Sequence, residues 1–186
     1  MNGSDEAGEE KSTHKVTLRA FLVDGSIVVP SSEDVEGLKS RGYGTPSDGS
    51  LTLSYYEGLY LLSKGILKIY DEDERLVPFQ ELLEKARERN KNAWVKYLIY
   101  RDLRSRGYVV REGFGLGIDF RVYERGGYGK ETAKYLIYGI KEGQPVQIEE
   151  LARALKYTQN LKKRLILAVL NRRGEIVYYS LSKLAF

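Results

Sequence analysis

Stretches with apolar side chains at every second position are interleaved along this chain with stretches that repeat at helical spacing. Residues 16–23 alternate around β-formers, Asp24-Gly25 gives a turn, and Ile27-Val28-Val29 follows, which predicts a hairpin. Residues 31–39 predict a short helix. Residues 42–50, with three glycines, a proline and an aspartate, predict a loop. Ser54-x-x-Glu57 has the spacing of a capping box, Leu53, Leu59 and Leu62 form a helical stripe, and Gly65 supplies a stop. Residues 66–70 predict a strand, 71–74 an acidic turn, and 79–90 a helix with Leu82, Leu83 and Ala86 on one side.

The pattern changes after Asn90-Lys91-Asn92. Trp94, Tyr97, Leu98, Arg101 and Leu103 lie on a helix running to Gly107, and strand-like alternation follows at 108–110, 118–123 and 135–140. Ile148, Leu151, Ala152 and Leu155 have the i, i+3, i+4, i+7 spacing of an amphipathic helix. Residues 165–170 are a continuous apolar run, as expected of a strand covered on both faces, and the turn at 172–175 leads into a strand at 176–181. The expected organisation is a flexible tail at 1–14, a small α+β domain at 15–90, and an α/β domain with a mixed central sheet at 91–186.

Composition narrows the function classes. The chain has 186 residues and no cysteine, which removes disulfides, thiolate metal sites and cysteine nucleophiles. Its one histidine, His14, lies in the tail, so no histidine-rich metal site forms from this chain, and no metal or cofactor is expected. No apolar run has the length of a membrane span, and with no signal peptide a cytoplasmic location is expected. Charged residues make up 30% of the chain, with a net charge of +4. From residue 151 to 186 there are eight Lys/Arg and one acid, 8 − 1 = +7, whereas the first twelve residues carry four acids and one lysine, 1 − 4 = −3. A basic excess on a folded segment suits a phosphate backbone, and a solvated surface has the same composition.

Metal-free RNA cleavage needs a base for the ribose 2′-hydroxyl, an acid for the leaving 5′-oxygen, and a cation for the charge on the phosphorus. Tyr123 closes a strand, and Lys163 stands where a helix meets the buried strand. Taken singly, such a tyrosine is more often a packing residue and such a lysine a surface charge. Their context is more specific. Tyr97-x-x-Tyr100-Arg101-Asp102-Leu103-Arg104-x-Arg106-Gly107-Tyr108-Val109-Val110, then Gly113-x-Gly115-x-Gly117-x-Asp119-Phe120-x-Val122-Tyr123, then Lys134-Tyr135-Leu136-Ile137, Leu151-Ala152-Arg153-Ala154 and Lys162-Lys163-Arg164-Leu165 resemble the C-terminal domain of archaeal tRNA-splicing endonucleases. Leu51-Thr52-Leu53-Ser54-x-x-Glu57-Gly58-Leu59-Tyr60-Leu61-Leu62 resembles that family's N-terminal domain.

The resemblance implies a nuclease-like C-terminal domain that acts on precursor tRNA at bulge–helix–bulge sites. Family catalysis uses a Tyr–His–Lys triad without metal and leaves 2′,3′-cyclic phosphate and 5′-hydroxyl ends. The tyrosine falls on Tyr123 and the lysine on Lys163, but the histidine falls on Thr132, whose hydroxyl is far too weak an acid for the task. Neighbouring Glu131 would need a raised pKa to substitute for it. The position of a family arginine that grips a bulge base falls on Lys156, which lacks the planar guanidinium. Arg153, Lys156, Lys162 and Arg164 are the expected RNA-binding residues.

A member without the histidine resembles a structural subunit, partnered by a catalytic subunit in an α2β2 hetero-oligomer of crenarchaeal type. The short 42–50 loop agrees, because catalytic subunits there tend to carry an insertion. In family tetramers an acidic loop docks into a basic groove; the matching residues here, 141–145, hold a single acid, and the 151–186 segment is the expected acceptor. The terminal strand is expected to pair with another subunit. Two alternatives stand beside this reading: an active endonuclease subunit with a substitute acid, and an RNA-binding assembly module without a cleavage role.

Overall fold

The computed structural model describes residues 17–31 and 33–183. The acidic tail at 1–14, with His14, lies outside the described residues.

The first half builds one sheet from β1 (Leu18–Val23), β2 (Ser26–Val29), β3 (Thr45–Ser47), β4 (Ser50–Leu53) and β5 (Leu67–Tyr70), in the order β3-β4-β2-β1-β5. β1 is antiparallel to β2 and parallel to β5. The β1–β2 turn places Asp24 and Gly25 at φ 48° and 72°, the left-handed pair that a tight hairpin demands. Helix α1 (Glu33–Ser40) precedes β3, and α2 (Tyr55–Ser63) follows β4.

Two expectations are corrected here. Residues 42–50 are not a loop throughout: they hold β3 and the start of β4, which pair through Thr45↔Thr52, Pro46↔Leu51 and Ser47↔Ser50. β3 is a short, exposed edge strand, so it needs no apolar alternation and tolerates a proline. Leu53 does not lie on the helix; it closes β4 and is buried there. The helix begins after Ser54, because Glu57 reaches back to accept hydrogen bonds from the Ser54 amide (2.9 Å) and hydroxyl (2.8 Å).

Helices α3 (Phe79–Arg89) and α4 (Ala93–Ser105) connect to a second sheet. Its strands are β6 (Val109–Gly115), β7 (Ile118–Tyr123), β8 (Tyr135–Lys141), β9 (Arg164–Leu170) and β10 (Ile176–Leu181), in the order β10-β9-β8-β7-β6. β8 and β9 are parallel and joined across the sheet by α5 (Ile148–Asn160); the other neighbours are antiparallel. The sheet is therefore mixed, as the sequence predicts. β6 runs past residue 110 through an irregularity between Glu112 and Gly115. Gly113 permits this close approach: a Cβ there would stand 2.1 Å from the Ile118 carbonyl oxygen.

The apolar run in β9 is covered from both sides. Ala168 and Leu170 join the large core that includes α4, while Leu165 packs with Leu136, Tyr138 and Ala154 of α5. The large core is continuous across both sheets, from Leu18 to Leu170. At its centre Tyr56 of α2 meets Tyr100 of α4 and Phe120 of β7, with ring centroids 4.9 and 5.0 Å apart.

A polar link reinforces this junction. Arg111 of β6 donates to the Gly42 carbonyl (3.0 Å) and lies 3.4 Å from the buried Glu57 carboxylate, which also accepts the Gly44 amide (3.0 Å). Arg104 of α4 donates both terminal nitrogens to the Arg41 carbonyl at 3.1 Å, and its guanidinium covers the Tyr43 ring at 3.8 Å. Residues 41–44 are thus pinned to the second sheet.

Candidate active site

The sheet register brings Tyr123 and Lys163 to one edge. Val122 pairs with Tyr135, and Tyr135 pairs with Arg164. One step toward the edge, Lys134 lies between Tyr123 and Lys163, with its amide donating to Val122 and its carbonyl accepting from Arg164. Two strand spacings separate the backbones of Tyr123 and Lys163, about 10 Å. That gap suits a phosphodiester held between their side chains.

Both side chains are half-buried. Val122 faces the large core, so alternation turns Tyr123 and Arg121 to the opposite face, the one α5 packs on. The Tyr123 ring meets Tyr128 edge-on at 5.1 Å, a contact from the loop that follows β7. The Lys163 ammonium donates to the Ala133 carbonyl, beside Thr132. The lysine that would face a phosphate is thereby tied to the 124–134 loop.

Thr132 is exposed on that loop, and Glu131 beside it is exposed as well. Among the described residues, no hydrogen bond joins an acidic side chain to Tyr123 or Lys163. Lys134 instead pairs with Glu124, which also accepts a hydrogen bond from the Tyr135 hydroxyl at 3.3 Å. Glu124 is held below the usual carboxylate range chiefly by the hydrogen bond from Lys134, and Lys134 is raised for the same reason. Among the described residues, the edge therefore brings a phenol, Tyr123, and a cation, Lys163, to one end of the sheet.

Arg153, Lys156, Lys162 and Arg164 are all exposed. Arg153 and Lys156 project from α5, and Lys162 and Arg164 flank Lys163 just past its C-terminus, where cations complement the helix dipole. Lys162 adopts φ 55°, which turns the chain sharply from α5 into β9. Sequence reading missed Tyr128, Arg121, Phe114 and Tyr157 on this side of the sheet. Arg121 carries a sequence signal in its even spacing from Tyr123 along β7, and Tyr157 in its helical spacing from Arg153 along α5; Phe114 of β6 and Tyr128 of the loop after β7 carry neither.

Two mixed five-stranded sheets, joined by helices and carrying a tyrosine and a lysine at one basic sheet edge, define a protein of α+β class. Comparison with known proteins gives the family. A model of the tRNA intron endonuclease N-terminal domain matches residues 18–83, and a model of the tRNA intron endonuclease catalytic C-terminal domain matches residues 93–178. A tRNA-splicing endonuclease of Methanococcus maripaludis is 35% identical over 170 residues, 91% of this chain and 96% of that protein. One from Hyperthermus butylicus is 35% identical over 177 residues, 89% of this chain and 97% of that protein. One from Methanosarcina mazei is 36% identical over 168 residues, which is 89% of this chain but 46% of that longer protein. The chain belongs to the tRNA intron endonuclease family.

Proposed function

We propose that this chain is the structural subunit of a tRNA-splicing endonuclease, dividing near residue 90 into an N-terminal α+β domain and a C-terminal endonuclease-like domain. The observation that carries this reading is Thr132, exposed on the loop beside Ala133, whose carbonyl accepts from Lys163. In the family resemblance a histidine at this position is the general acid; a threonine hydroxyl cannot give up its proton near neutral pH. Losing a general acid removes about 10²–10⁴-fold in rate.

In this reading Tyr123 and Lys163 are remnants of a cleavage site. The chain holds precursor tRNA and orients a histidine-bearing subunit in an α2β2 assembly. Arg153, Lys156, Lys162 and Arg164 supply phosphate contacts along the α5 edge, and no metal takes part.

The test is reconstitution with a catalytic family subunit on precursor tRNA carrying a bulge–helix–bulge. Tyr123→Phe in this chain leaves cleavage by the heteromer within about twofold. A loss of a hundredfold or more would show that Tyr123 acts in the chemistry.

A further inference from the structure

Arg41, Arg104 and Arg125 stand at the junction of the two sheets, and among the described residues none has a carboxylate partner. Arg41, exposed just past α1, donates its Nε to the Gly37 carbonyl at 2.8 Å. Arg104 bonds only backbone carbonyls, those of Arg41 and Tyr108, and lies 3.8 Å from the Tyr43 ring. Arg125, also exposed, lies 5.5 Å from the Tyr108 ring. Ser40, Arg41, Tyr43, Arg104, Tyr108 and Tyr128 line one hollow here of about 340 Å³. Among the described residues no carboxylate lines it. Glu57, bonded to the Gly44 amide, is taken up by Ser54 and Arg111, and Glu131 of the 124–134 loop lies outside the lining.

The hollow is continuous with the Tyr123 edge. Tyr128 lines it and meets the Tyr123 ring edge-on at 5.1 Å. The other side of that contact is the first half of the chain: a Cβ on Gly42 would stand 3.1 Å from the Tyr128 ring. A chain of phosphates with one member at Tyr123 and Lys163 therefore has further cations within reach at the hollow. This continuity favours RNA over an acidic protein segment. The 141–145 loop of a second copy holds one acid, Glu142, and that carboxylate already accepts the Arg172 amide at 2.9 Å.

We propose that this hollow binds the sugar–phosphate backbone of the RNA strand flanking the Tyr123 edge, with Arg41, Arg104 and Arg125 meeting its phosphates, so that residues from both halves of the chain grip the RNA. A guanidinium presents a planar fork of donors that fits phosphate oxygens. Backbone contacts fix the position of a strand and carry no base preference, so the hollow acts alike on bulged and fully paired RNA. The proposal rests on the reading of this chain as a tRNA-binding subunit and adds the segment between α1 and β3 to its RNA surface.

The test measures binding of the full chain, by fluorescence anisotropy across a range of salt concentrations, to a bulge–helix–bulge RNA and to a fully paired RNA hairpin. Arg41→Gln and Arg125→Gln each weaken both RNAs about five- to tenfold at about 0.1 M salt and lower the slope of log affinity against log salt by about one. The double variant lowers it by about two, and Arg41→Lys retains it. Arg104 stays in place throughout, because it also pins residues 41–44. Arg172→Gln, a cation of the β9–β10 turn with its side chain 85% exposed, leaves the slope unchanged. Wild-type affinity and slope in the double variant would overturn the site and leave the tRNA-binding reading standing. An equal loss in Arg172→Gln would show that net charge rather than place sets the affinity, and would overturn the site too. Failed assembly with a catalytic family subunit at unchanged RNA affinity would assign the hollow to a protein contact, against the proposal. If the wild-type chain binds neither RNA, the tRNA-binding reading itself fails, and the site with it.

Discussion

Glu57 is the residue whose loss should most disturb the joint between the two sheets. Its side chain is 6% exposed and accepts the Gly44 amide, the Ser54 amide and the Ser54 hydroxyl, while Arg111, 16% exposed, approaches from β6. Glu57→Ala orphans two backbone donors, each costing about 1–3 kcal/mol where water cannot reach. It also strands a largely buried guanidinium, and breaking a buried ion pair from one side costs about 3–5 kcal/mol. These overlap, since water entering the vacated space serves several donors at once, so the net loss is about 3–5 kcal/mol. At about 2–4 °C per kcal/mol for a chain of this size, the melting temperature falls by about 6–20 °C. Glu57→Gln keeps one acceptor oxygen and loses about half as much. Differential scanning calorimetry reads both values. Because the core runs unbroken across both sheets, each variant still melts in one transition. A drop below about 2 °C for Glu57→Ala would refute the argument, and two separate transitions would refute the shared core.

Other expectations follow from the same contacts. Tyr56, Tyr100 and Tyr178 are all raised above the ordinary tyrosine value, first by burial; the Glu57 charge adds to the shift for Tyr56 and Tyr100, and a hydrogen bond to Asp102 adds to it for Tyr178. The unfolded chain releases these protons from about pH 10 while the folded chain retains them, so stability holds below pH 10 and falls above it, by up to about 4 kcal/mol per pH unit for three groups. A melting temperature unchanged between pH 9 and 11 would contradict this. Tyr178→Phe removes the 2.7 Å hydrogen bond to Asp102 that ties β10 to α4 and costs about 1 kcal/mol in urea unfolding, with Arg106 retaining its pairing to the same carboxylate. Lys163→Met frees the Ala133 carbonyl, so hydrogen exchange quickens in residues 124–134 while the β9 core stays protected.

The strands and helices were legible wherever one face is buried, because burial writes a period into the sequence. The end of β7 shows this, with Phe120 and Val122 buried in the large core and Arg121 and Tyr123 only half-buried. β3 was not legible, since all three of its residues are exposed and one is proline. The far half of β6 was hidden by Gly113 and Gly115, which lower strand propensity; Gly113 is required by the close approach of the Ile118 carbonyl and Gly115 by its φ of 84°. Leu53 was misread because apolar side chains stand on both sides of Ser54, Leu51 and Leu53 in β4 and Tyr55, Tyr56 and Leu59 in α2. In the site, Tyr123 and Lys163 could be named from their flanking motifs, but their alignment across Lys134 depends on register between strands far apart in sequence. Glu57 to Arg111 and Arg121 to Phe114 are contacts of orientation, which no one-dimensional spacing encodes.

Under the proposed function, Thr132 in place of a histidine keeps this chain from cleaving RNA. The direct measurement is metal-free cleavage of a bulge–helix–bulge precursor tRNA by the purified chain alone, as wild type and as Thr132→His. The wild-type chain should give no cleavage above the uncatalysed rate, and Thr132→His, at an exposed position that tolerates the change, should gain about 10²-fold or more. Cleavage by the wild-type chain alone, at a rate that Thr132→His does not raise, would contradict the account.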